Sequence, residues 1–127
     1  MSYAKTNLNE VEDQAAKHGF GELQEARFPR TDVGAEKGGI AHIRVKPGQR
    51  QPFAHRHQEA EEIHVILSGA GRMKVDDEVL DVGERDVIRV EPSAARAFEA
   101  GPDGLEYIVF STRHENDAEI VKDFWDQ

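Results

Sequence analysis

Residues 48–69 read Gly-Gln-Arg-Gln-Pro-Phe-Ala-His-Arg-His-Gln-Glu-Ala-Glu-Glu-Ile-His-Val-Ile-Leu-Ser-Gly. His55 and His57 stand two apart. Side chains on a strand alternate between faces, so an extended backbone aims both imidazoles the same way. Residues 58–61 form a short polar turn, and residues 62–67 read as a second strand that returns the Glu62 carboxylate toward the histidines. Two neutral nitrogens and one carboxylate suit a divalent transition ion with positions left open for substrate. A His-x-His pair alone is commonly a solvated patch. The returning carboxylate, the Pro47-Gly48 turn before the pair and the Ser68-Gly69 stop after the second strand favour a built site.

Parity extends the site. Glu62, His64 and Ile66 share a face, which makes His64 either a substitute ligand, a pocket acid or base, or a hydrogen-bonded wall residue. Phe53 has the parity of His55 and forms an apolar wall beside it, while Glu61 faces solvent. Arg96 is decided by its neighbours in Arg96-Ala97-Phe98-Glu99. If Phe98 is inside, so is Arg96. Burying Phe98 is worth roughly 2 kcal/mol, and burying an unpaired Glu99 would cost more.

Gly48, six residues, His55-x-His57, four residues, Glu62, six residues and Gly69 resemble the first motif of the cupin family, with one residue more than usual after the first glycine. Gly83, Pro92 and residues 96–98 resemble the looser second motif, with Arg96 at or one residue before the place of the usual fourth metal ligand. The resemblance covers residues 38–112. It implies an all-β double-stranded β-helix, or jelly-roll barrel, and a homodimer. It leaves the reaction open, because one fold hosts many functions.

Two functions follow. In one, His55, His57 and Glu62 hold Fe, Mn, Zn or Ni, and Arg96 anchors a small anionic or polar ligand beside His64, Phe53 and Phe98 for dioxygenase- or isomerase-type chemistry. In the other, Arg96 pairs with Glu62, the metal is absent, and the barrel is a non-catalytic binding module. No organic cofactor is implied.

Outside this unit, 127 residues suit one domain. With no cysteine, disulfides, thiolate ligands and a cysteine nucleophile are excluded. The net charge is −9 and the sixteen Lys and Arg are scattered, which argues against nucleic acid as a partner. The N-terminal residues have no apolar leader, and no stretch is long enough to span a membrane, so a soluble, cytoplasmic protein is expected.

Along the chain, residues 1–37 are read as an N-terminal helix capped by Asn9 and stopped by Gly19, with His18 at its end, then a strand over 23–28 and a polar loop. Residues 38–112 are read as the barrel. Residues 40–46 alternate, with His42 as a surface or pocket-wall residue. A hairpin turns at 76–78, further strands cover 86–90, 96–99 and 105–112, and 100–104 reads as a strong turn. Residues 113–127 are read as a helix capped by Asn116 or Asp117, its stripe of Ile120, Val121, Phe124 and Trp125 packed on the barrel, with His114 exposed before it.

Overall fold

The computed structural model describes residues 2–127. Its strands are β1 (Gln24–Arg27), β2 (Gly38–Val45), β3 (Ala54–His57), β4 (Glu62–Val75), β5 (Glu78–Gly83), β6 (Val87–Val90), β7 (Arg96–Thr112) and β8 (Ala118–Val121). All pair antiparallel in one curled sheet ordered β1-β2-β7-β3-β8, with β4 joining β5, β6 and β7. This is the expected jelly-roll barrel. Its interior is packed by Val45, Ile66, Met73, Phe98, Leu105 and Tyr107, all buried.

Two expected breaks are absent. Ser68-Gly69 does not stop β4, and residues 100–104 do not turn; β4 and β7 run through them and pair along most of their length. The register shifts instead, between Ile66 and Ser68 and again between Gly69 and Gly71. Gly69 (φ 79°) and Gly104 (φ 82°) are left-handed, and a Cβ on Gly69 would collide with the Gly104 carbonyl. The glycines therefore permit a paired bulge, which bends two long strands where turns would have ended them.

The helices are reduced. Asn7, not Asn9, caps a 3₁₀ turn at Leu8–Glu10, and the only α-helix among the described residues is α1 (Gln14–Lys17), capped by Asp13 and stopped at Gly19 (φ 88°). Asp13 Oδ1 accepts from the amides of Ala15 and Ala16 and also from Ala26 in β1, at 2.9 Å. One side chain thus starts the helix and ties it to the sheet. Asp13→Ala is expected to cost about 1–2 kcal/mol in urea unfolding. An unchanged midpoint would show the tie to be idle.

The expected C-terminal helix does not form. Residues 118–121 are strand β8, and Phe124–Asp126 is a 3₁₀ turn. Asn116 (φ 52°) and Asp123 (φ 56°) are left-handed and interrupt any helix at both ends. A helix this short is marginal, whereas the open edge of β3 offers four partners, from Ala54↔Val121 to His57↔Ala118. The apolar stripe splits accordingly. Phe124 is buried against Ala54, Ala95 and Ala97, Trp125 lies under the Arg50 guanidinium, and Ile120 is exposed. The buried Lys74 ammonium donates to the Phe124 and Gln127 carbonyls, which fixes the segment. On the outside of the sheet, Ile63, Val87 and Phe110 lie exposed on neighbouring strands. No helix is long and apolar enough to cross a membrane among the described residues.

Candidate metal centre

β3 and β4 carry the three donors because strand alternation turns His55 and His57 off one and Glu62, His64 and Ile66 off the other toward the interior. His55 Nε2 lies 3.3 Å from Glu62 Oε1, and His57 Nε2 lies 3.2 Å from Glu62 Oε2. One donor atom from each of His55, His57 and Glu62 falls within 4.8 Å of the others. Glu61 is outside, 3.3 Å from the Arg89 guanidinium.

Arg96 faces inward and is 1% exposed. Its Nη1 donates to Glu62 Oε1 at 2.8 Å, and Nη2 donates to the carbonyls of Glu91 and Pro92 at 2.6 and 3.4 Å. The protein itself thus occupies both guanidinium nitrogens at the tip. Of the four side chains expected around a ligand, His64 and Phe53 line the main cavity, whereas Arg96 and Phe98 stand behind its wall. That cavity holds about 840 Å³. Its walls are mainly apolar, including Phe20, Phe53, Ile43 and Val109, and His55 and Glu62 sit in its lining. Phe20 and Phe53 meet edge to face. A second cavity of about 430 Å³ is lined by His57 and Glu62 together with Arg30, Arg113 and Asp117.

Burial alone would push the Glu62 carboxyl up. Contacts with His55 and His57, and the fields of His55 and His64, outweigh this and hold it well below the usual carboxylate range. His64 is 2% exposed, with Nε2 3.6 Å from Glu62 Oε1. Burial lowers its pKa to about 4 against the opposing pull of Glu62, so the imidazole is neutral at pH 7. Burial likewise raises the Tyr107 hydroxyl, which accepts from Gln51 Nε2 at 2.9 Å beside His64.

The donor set fits a divalent transition ion. It is two imidazoles and an ionised carboxylate gathered at a cavity wall, and both nitrogens of His57 are buried without a completed hydrogen bond. Arg96 leaves the set at three.

Several contributors were not apparent from the sequence. Asp117 lies 3.2 Å from His57 Nδ1, although Asn116-Asp117 reads as a helix cap. Gln24, Gln51 and Tyr107 form a hydrogen-bonded wall drawn from three distant segments, with no motif to announce it. His42 is away from the centre. It is buried on the outer face, 2.6 Å from Glu106. His114 is exposed, as expected, with Nδ1 3.1 Å from Glu59.

Residues 41–110 match the family model described as Cupin domain. An uncharacterised protein of Methanocaldococcus jannaschii is 29% identical over 99 residues, spanning 78% of this chain and 77% of that protein. A cupin protein from Bacteroides fragilis superposes with a TM-score of 0.71 at 20% identity, over 91% of this chain and 88% of that one. The polyketide cyclase RemF from Streptomyces resistomycificus superposes with a TM-score of 0.74 at 18% identity, over 94% and 84%. At such identities the structural likeness shows the fold alone.

Proposed function

The chain belongs to the cupin family, and from that premise we propose that it binds a divalent transition ion through His55, His57 and Glu62 and presents it to a small molecule in the 840 Å³ cavity. The convergence of the three donors on the cavity wall carries this reading. The ion would supply open coordination positions for activating oxygen or a carbonyl, as in dioxygenation or isomerisation. Phe20, Phe53 and Val109 exclude water and grip an apolar part of the ligand, while neutral His64 sits where a proton can be given or taken. Arg96 acts through Glu62. Its bond to Oε1 leaves Oε2, beside His57, as the oxygen free to ligate.

The same bond supports a second reading. With Glu62 already neutralised at 2.8 Å, the barrel works as a metal-free, non-catalytic binding module. Metal analysis of protein purified without chelator or nickel resin, followed by cobalt(II) titration, separates the two. The first reading expects about one ion per chain, bound much more weakly by His57→Ala. Absence of binding by the intact protein favours the second.

Arg96→His removes a positive charge that competes with the ion for Glu62 and adds a nitrogen donor. Cobalt affinity is expected to rise at least about tenfold. An unchanged affinity would show that Arg96 does not oppose the ion.

A further inference from the structure

We propose that Asp117, carried by the C-terminal segment, is a positioning residue that holds His57 with Nδ1 protonated and Nε2 free for the ion. This rests on the metal reading, but His57 can be examined without metal.

Register places the two residues together. His57 pairs with Ala118 across β3 and β8, so residue 117 sits at the mouth of the histidine strand. Asp117 Oδ2 lies 3.2 Å from His57 Nδ1, and Glu62 Oε2 lies 3.2 Å from Nε2 on the other side of the ring. The ring is therefore bracketed by two carboxylates, one belonging to the donor set and one outside it.

Asp117 cannot drift from this place. It is buried, Oδ1 accepts from the Glu59 amide at 2.8 Å, and Oδ2 accepts from the Ala60 amide at 3.0 Å. Its own carbonyl accepts from the Gln58 amide at 3.0 Å. Three successive amides of the turn between His57 and Glu62 are thereby tied to one residue, so Asp117 also sets the spacing of those two donors.

The chemistry follows from what each group can offer. A carboxylate only accepts, and a neutral imidazole carries one N–H. Both carboxylates stand 3.2 Å from the ring, but Glu62 is already neutralised by Arg96 at 2.8 Å, so Asp117 is the stronger acceptor, the proton goes to Nδ1, and the lone pair is left on Nε2 toward the cavity. Ligating histidines are commonly held in this way by a carboxylate on the far nitrogen, which fixes both tautomer and ring angle. A small rotation of the His57 ring would complete the bond that its buried Nδ1 lacks.

Asp117→Asn keeps the shape and an acceptor for the turn, but it can offer an N–H to Nδ1 and so favours the other tautomer. The cobalt(II) dissociation constant is expected to rise about 10–100-fold. In a His57→Ala background the same change should move it less than about twofold. An equal loss in both backgrounds would overturn the proposal, since Asp117 would then serve only the turn. Histidine ¹⁵N spectra of the metal-free wild type give a second readout that needs no variant. They should show His57 protonated at Nδ1, and an Nε2–H tautomer would overturn the proposal. If cobalt does not bind while the Nδ1–H tautomer is present, the metal reading falls and the hold of Asp117 on His57 stands.

Discussion

Glu62→Leu is expected to lower the stability of the metal-free protein by about 3–5 kcal/mol at neutral pH, more than any other single change at the centre. The Arg96 guanidinium is 1% exposed, and its one anionic partner among the described residues is Glu62, at 2.8 Å. Removing the carboxylate leaves a buried cation with only the Glu91 and Pro92 carbonyls as acceptors. The attraction between the two charges matters less than the desolvation that each would suffer alone. Arg96→Met added to Glu62→Leu should therefore recover most of the loss, because an apolar pair of similar volume needs no compensation. Urea unfolding of the wild type and the two variants decides the matter. A single variant within about 1 kcal/mol of the wild type would mean that water reaches the guanidinium.

The metal-free protein should also lose roughly 3 kcal/mol of stability as pH falls from about 6.5 to about 4, through His64. Its imidazole titrates near 6.5 when unfolded and near 4 when folded. In that window the unfolded chain holds a proton that the native chain refuses, so acid favours unfolding. The stabilisation is complete above the unfolded value and is lost on the way down to the folded one. Each pH unit between the two values is worth about 1.4 kcal/mol. Glu62 acts lower. Its depressed pKa contributes stability above the unfolded value of 4.5, which is lost as pH falls further. Unfolding midpoints collected from pH 7 to 4 should slope for the wild type and flatten above pH 5 for His64→Leu. Parallel curves would place the titration elsewhere.

Alternation made the inward faces legible. His55, His57, Glu62 and His64 are recognisable because a strand has a period of two and their spacing fits it, and Arg96 is recognisable because Phe98 shares its side. The same rule failed where glycine had two meanings. Gly69 and Gly104 each read as an ending, and only their position opposite one another shows that they let two strands bulge together.

The sequence by itself determined the barrel, the shared inward face of His55, His57 and Glu62, and the departure at Arg96, because these depend on residue type and local period. Tertiary structure decided what the C-terminal residues do. Ile120, Val121, Phe124 and Trp125 satisfy a helical stripe as well as a strand followed by a turn, and the free edge of β3 selects between them. It also decided that Arg96 spends its donors on Glu62 and two carbonyls, and that Asp117 stands behind His57. The Arg96–Glu62 and His57–Asp117 pairings join residues dozens of positions apart, and neither periodicity nor composition records which distant group will fill a vacant hydrogen-bond position. Only the closed barrel brings them within reach.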